Sequence, residues 1–237
     1  MDLQDTQEIL RIPLLGIETE AGNVYISSDQ HLDHANIIKY ASRKYDCVQS
    51  MNEDIVNRHN SVVPAKGSLW ICLGDFAFVR GEDQAEQLRR WVRHFNGETK
   101  VLVMGNHDRQ SMAKYKEAGF DYVVPKATDV HCSIEDFSFI MRHRPYSDKE
   151  MHDMERRNSN HSLHSQLEEE LEDKRFAFDI TSEDAWVYDL YPIRGNIMCG
   201  HVHQLYRRYA KGNVVNVGVD AWDMSPVPLC EALRYFD

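Results

Sequence analysis

The 237-residue chain has no apolar run approaching the roughly 18–20 residues that a membrane-spanning helix needs. Its first residues lack the basic stretch and apolar core of a secretory signal. Cysteine is scarce. Cys47, Cys72, Cys132, Cys199 and Cys230 are odd in number and never form a CxxC pair, which argues against a disulfide framework and points to a reducing, cytoplasmic setting. Cys72 and Cys199 lie inside apolar runs and read as small buried hydrophobes. Positive charge is also short: 27 Lys and Arg face 38 Asp and Glu, a net charge of −11. Because non-specific affinity for nucleic acid comes mainly from cations neutralising phosphates, an extended nucleic acid is not the expected partner. A local positive pocket stays compatible with that count, since bound metal ions add charge that it omits. Linkers rich in Gly, Pro or Ser, internal repeats and low-complexity tracts are missing too, so residues 1–237 read as one domain.

What the chain does have is an ordinary globular balance, 42% apolar and 27% charged. Short apolar runs at Val24–Ser27, Leu69–Leu73, Lys100–Met104, Ser138–Met141 and Asn196–Cys199 have the length and composition of buried strands. Between them, Met51–Val63 and Glu82–Phe95 carry apolar residues at helical spacing, and Asn96-Gly97 marks a helix stop. The alternation predicts an α/β fold, with further strands in the valine-rich Asn213–Asp220. One stretch stands apart. Ser147–Leu190 holds 13 acidic against 5 basic residues, with Leu163, Leu167 and Leu171 four apart and a capping-box pattern at Ser165–Glu168. It predicts an inserted acidic helix, in which His161 and His164 belong to a solvated face.

The informative residues follow the five apolar runs. Asp29-Gln30-His31 comes after the first, Gly74-Asp75 after the second and Gly105-Asn106-His107-Asp108 after the third. Arg142-His143 follows the fourth, and Gly200-His201-Val202-His203 the fifth. Ligands of open α/β sheets bind outside the carboxyl ends of the strands, so the five clusters are expected to converge. Asp-x-His and His-x-His can each aim two side chains one way on leaving an extended segment. Asp75 can bridge two cations, and Asn106 adds a neutral oxygen. Imidazole with carboxylate favours Mn, Fe, Zn or similar ions over a calcium cage.

In this order the motifs resemble the calcineurin-like metallophosphoesterases, whose pattern is DxH, GD, GNH(D/E), H and GHxH. The likeness spans about Val24–Asp220. Asp33-His34-Ala35-Asn36-Ile37-Ile38 and Asn216-Val217-Gly218-Val219-Asp220 are similar to stretches in small bacterial and phage members. The resemblance implies a four-layer α-β-β-α sandwich carrying the acidic insertion, with two divalent ions at one end of the sheets. Mn is the first choice, and Fe, Zn, Ni, Co or Mg are alternatives. One ion would take Asp29, His31, Asp75 and His203, the other Asp75, Asn106, His143 and His201.

The expected reaction is hydrolysis of a small phosphodiester or nucleotide-like phosphomonoester by a hydroxide held between the metals. His107 would protonate the leaving oxygen, and Asp108 would orient His107. His34 reads either as a contact to the site or substrate phosphate, or as a histidine bonding locally at a helix start. Arg109 reads either as a phosphate contact or as an exposed arginine opening a helix. Arg142 and Arg144 read as structural. A DNA nuclease of the same superfamily and a non-catalytic scaffold on the same fold are the competing functions. The 147–190 insertion, which lies between His143 and His201, is expected to cap the site or to mediate oligomerisation.

Overall fold

Apolar side chains from one face of each of two sheets meet in a shared core and hold the sheets face to face. The computed structural model describes residues 7–145, 195–209 and 213–236, with the backbone of 179–180. In chain order, the first elements are β1 (Ile9–Ile12), β2 (Ile17–Glu20), β3 (Val24–Ser27), α1 (Ala35–Tyr40), α2 (Val48–Val62) and β4 (Leu69–Cys72). They are followed by α3 (Gln84–His94), β5 (Thr99–Val103), α4 (Met112–Ala118), β6 (Tyr122–Val124), β7 (Val130–Ile134) and β8 (Phe137–Met141). The last are β9 (Asp179–Ile180), β10 (Ile197–Cys199), β11 (Arg208–Tyr209), β12 (Val214–Asn216), β13 (Val227–Pro228) and α5 (Leu229–Leu233). One sheet has the order β13-β3-β4-β5-β6, and the other β2-β1-β7-β8-β10-β12-β11-β9.

In the five-stranded sheet, β3 to β6 are parallel and covered on both faces. The pleat therefore sends successive side chains into different cores. Ile71, Val101 and Val103 point into a core shared with Met141, Met198 and Val215 of the other sheet. Their neighbours Trp70, Cys72 and Leu102 point the other way, into a core with Met51 and Ile55 of α2, Leu88 and Val92 of α3, and Tyr115 of α4. Trp70 stacks on Phe95 at 5.0 Å and 9°, and its indole N–H donates to Ser27 Oγ. α5 closes the inter-sheet core through Leu229, Ala232 and Leu233.

This is the mixed α/β arrangement of two helix-flanked sheets that the strand–helix alternation predicts. The five expected strands are present, each within a residue or so of its expected ends. α3 stops at His94, before Gly97 at φ +128°. Asn213–Asp220 yields β12 and then a 3-10 turn at Val219–Ala221 rather than continuous strand. The predicted helix of 147–190, with its leucine stripe, His161 and His164, lies outside the described residues, apart from the two-residue strand β9. No described helix is long and apolar enough to cross a membrane. Cys72 and Cys199 are fully buried, as their apolar contexts imply.

What the fold does for the site follows from strand direction. Since β3, β4 and β5 are parallel, their carboxyl ends share one edge. β8 and β10 are likewise parallel and bring Arg142-His143 and Gly200-His201 to one edge of the second sheet. The two edges meet: Val219 N–H donates to Ser28 O, and His201 N–H to Asp29 Oδ2.

Candidate metal centre

The loop after β3 is locked before it reaches its functional groups. Asp29, His31 and Leu32 donate their N–H groups to the carbonyls of Gly74, Asp75 and Phe76 in the loop after β4. Asp33 anchors the far end, accepting from Asn52 Nδ2 and from Trp91 Nε1. Between these ties the backbone is left-handed: φ is +60° at Asp29, +50° at His31 and +54° at Asp75, and +71° and +48° at His201 and His203. Such conformations cost about 1–3 kcal/mol each for a non-glycine residue and persist only where the surroundings impose them. Both i, i+2 pairs thus reach the site from left-handed turns, and the extended geometry expected for them is replaced.

Each carboxylate divides its two oxygens. Asp29 Oδ2 accepts from His201 N–H at 2.8 Å, tying the first sheet's loop to the second's. Its Oδ1 is buried with no hydrogen-bond partner among the described residues, and so is His31 Nε2. Asp75 Oδ1 accepts from His107 N–H at 2.7 Å, while Oδ2 lies 3.5 Å from His31 Nε2 and 3.4 Å from His143 Nε2. His143 Nδ1 donates to Leu73 O at 2.7 Å, turning Nε2 toward Asp75 and toward Asn106 Oδ1, 2.9 Å away. His203 Nδ1 donates to Asp220 Oδ2 at 2.7 Å. Two groups result, Asp29 with His31 and His203, and Asp75 with His143 and His201; within each, the candidate ligand atoms lie within 4.8 Å of one another.

The electrostatics fit a cation. Burial raises the Asp29 carboxyl, although His203 and His143 pull it back. Burial would do the same to Asp75, but the adjoining His143 outweighs it and holds Asp75 below the usual carboxylate range. His143 would be lowered by burial, yet the Asp75 carboxylate lifts it to about 9. Burial likewise opposes the charge on His203, which the Asp220 hydrogen bond raises. His31 and His201 fall well below the ordinary histidine value, mainly through burial. With protons as the only cations, the cluster charges some imidazoles to balance its carboxylates and leaves others neutral. Orphaned oxygen and nitrogen atoms of mixed imidazole–carboxylate character are what divalent transition ions satisfy. The residues present therefore fit two such ions.

Backbone approach explains two glycines. A Cβ on Gly105 would collide with Asp75 Oδ1 and come within 2.8 Å of His143 Cε1. One on Gly200 would collide with Ser28 Oγ and Asp29 Oδ2.

No family model matches the chain. An uncharacterized protein of Methanocaldococcus jannaschii is 37% identical over 86 residues, which cover 36% of this chain and 47% of that protein. The chain thus matches about half the length of this curated relative. Among solved structures, a protein of unknown function from Aquifex aeolicus superposes with a TM-score of 0.55 at 21% identity, covering 89% of this chain and 97% of its own. That likeness concerns the fold. A Pseudomonas putida nuclease aligns with a TM-score of 0.39 at 18% identity, covering 77% of this chain and 62% of its own.

The structure brings Asp29, His31, Asp75, Asn106, His143, His201 and His203 to one place, and sets His107 beside them. The His107 ring is 5.3 Å from that of His31. Asp108, however, does not orient His107. Its Oδ2 accepts from Asp75 N–H and Gly105 N–H, both at 2.8 Å, and its Oδ1 from Phe76 N–H and the Tyr115 hydroxyl. His107 Nδ1 has no hydrogen-bond partner among the described residues. The reason is steric economy: a buried carboxylate in the tight turn after β5 satisfies the nearest free backbone donors. Asp108 is a staple between the Asp75 and Asn106 loops, and burial followed by the Asp75 charge raises it to about 6.

His34 precedes α1 without capping it; its Nδ1 lies 3.3 Å from His31 Nδ1, and its ring stacks on Phe78 at 4.2 Å. Arg109 is exposed and lies before α4, which Ser111 caps, with its guanidinium carbon 5.6 Å from the Phe78 ring centroid. Arg142 is buried against Asp129 and Pro145 O, in keeping with a structural role.

Sequence reasoning missed Arg43. Its guanidinium grips both oxygens of Asp220 at 2.7 and 2.8 Å and donates to Asp29 O at 2.6 Å and Gln30 O at 3.0 Å. Arg43 therefore fixes the backbone under Asp29 while holding Asp220 against His203. Asp220 closes a segment that carries the family resemblance. Arg43, in an unpatterned Ser-Arg-Lys stretch 177 positions away, has no signal in the sequence.

Proposed function

We propose that this chain is a two-metal phosphoesterase acting on a small phosphodiester or nucleotide-like phosphomonoester. The observation that carries the reading is Asp75, whose Oδ2 stands between His31 and His143 and so joins two potential ligand groups into one centre. Asp29, His31, Asp75 and His203 would hold one ion, and Asp75, Asn106, His143 and His201 the other, with Mn as the metal of choice. When bound, such ions supply Lewis acidity toward phosphoryl oxygens and lower the pKa of water.

The chain's own residues do the rest. The shared hydrogen bonds of Asp29 and Asp75 hold the two loops at fixed separation, so the ligand atoms are in place before substrate arrives. His143 Nδ1–H is committed to Leu73 O, and His203 Nδ1–H to Asp220, which leaves each Nε2 lone pair as the ligand atom. His107 is within ring contact of the centre yet bonded through its ring to nothing described, which leaves it available to give a proton to the leaving oxygen.

Asp75→Asn is expected to abolish Mn²⁺-supported hydrolysis of aryl phosphate mono- and diesters and to lower bound metal from two equivalents. Full activity with two equivalents retained in that variant would overturn the reading.

A further inference from the structure

Phe78 is the hub of a cluster beside the metal centre. The His34 ring stacks on it with centroids 4.2 Å apart, and the Arg80 guanidinium carbon lies 4.1 Å from the same centroid. His34 and Arg80 therefore both pack directly on the Phe78 ring. Arg109 approaches the ring at 5.6 Å, and His107 meets it edge-on at 6.4 Å. His34 continues the path inward, with its ring 5.3 Å from that of His31. Two guanidinium groups are thus linked to His31 of the metal centre by ring contacts through Phe78 and His34.

Charge makes this arrangement informative. In a chain of net charge −11, Arg43, Arg58, Arg89, Arg90 and Arg142 each pair with a carboxylate. Arg80 and Arg109 form no ion pair among the described residues, and neither do Arg93, Arg207 and Arg234; what sets Arg80 and Arg109 apart is that both approach one ring, that of Phe78, which touches His34 and His107. Both arginines are exposed. Stacking on an aromatic ring restrains a guanidinium while leaving its N–H edge free, the geometry that suits phosphate oxygens.

We propose that Arg80 and Arg109, mounted on Phe78, bind a second phosphate of the substrate, adjacent to the one cleaved at the metal centre. The inference rests on the phosphoesterase reading above and narrows it to substrates with two neighbouring phosphates. That chemistry has two sources, a nucleoside diphosphate and the next phosphate of a short oligonucleotide.

The test compares full-length, Mn²⁺-loaded wild type with Arg80→Ala, Arg109→Ala and the double variant. The substrates are p-nitrophenyl phosphate, a nucleoside 5′-diphosphate and the dinucleotide pTpT. Loss of a charge-assisted hydrogen bond predicts that kcat/KM for a two-phosphate substrate falls about tenfold further than for the aryl phosphate. That extra loss on the diphosphate alone assigns the small-molecule source, and on pTpT alone the oligonucleotide source. Equal losses on all three overturn the proposal. A second readout needs no turnover: EDTA-treated protein is titrated calorimetrically with inorganic tripolyphosphate, and the double variant is expected to bind about tenfold more weakly. If no ester is hydrolysed, the phosphoesterase reading fails, and the titration still decides the subsite, with equal binding by wild type and double variant refuting it.

Discussion

Replacing Arg43 by Met should unlatch the loop that carries Asp29 and His31. Arg43 and Asp220 are nearly inaccessible, with side-chain exposures of 1% and 3%, and the guanidinium spans both Asp220 oxygens and two backbone carbonyls. Methionine fills much of the same volume but leaves a buried carboxylate facing only His203. Breaking a buried pair from one side costs about 3–5 kcal/mol, because the remaining charge is uncompensated. For a chain of this length each kcal/mol lowers Tm by about 2–4 °C, so the fall should be on the order of 6–20 °C. Thermal unfolding in EDTA measures this loss free of metal binding. A double-mutant cycle sharpens it. Asp220→Leu alone removes the same pair, and Arg43→Met with Asp220→Leu should be less destabilised than the sum of the two singles. Mn²⁺ titration of Arg43→Met should also show weaker binding, since Asp29 and His203 both lose their support. A fall in stability below 1 kcal/mol with unchanged Mn²⁺ affinity would refute the argument.

Two further outcomes follow from the packing. His59 is 1% exposed, bonds Asn96 O through Nε2, and is pushed down to about 4 by burial. Because the folded state disfavours its proton, stability is complete above the ordinary histidine value of about 6.5 and declines as pH falls toward 4, by about 3 kcal/mol at 1.36 kcal/mol per pH unit. His59→Gln should flatten that decline in urea unfolding measured at pH 7 and pH 4.5; an identical pH dependence in the variant counts against it. Gly105→Ala places a methyl group 2.7 Å from Asp75 N and against the Asp75 carboxylate, so it should weaken Mn²⁺ binding well beyond its effect on global stability. Unchanged calorimetric affinity would show that the loop yields.

The strands that carry the site were legible because burial on both faces of a parallel sheet writes continuous apolar runs, and a polar residue at the end of each run marks where burial stops. Strand direction accounts for Asp29, Asp75 and Asn106 sharing one edge and His143 and His201 another; the packing of the two sheets brings the edges together. Short edge and hairpin strands such as β1 and β2 were not legible, since partly exposed four-residue segments carry too few apolar positions to register.

What the sequence alone determined is the set of potential ligands, their order and their places at strand ends, since periodicity and residue chemistry are local properties. Only the tertiary structure decided what holds them. Asp108 binds backbone donors instead of His107 because those donors are nearer in the folded turn. Arg43 and Asp220 meet across 177 positions because the loop after β3 and the turn after β12 share one edge of the sandwich. The left-handed φ at Asp29, His31, Asp75, His201 and His203 likewise has no sequence signature. Asp and His enter that region more readily than most residues, but nothing local selects these five positions, and the hydrogen bonds that impose it come from the opposite sheet and the neighbouring loop.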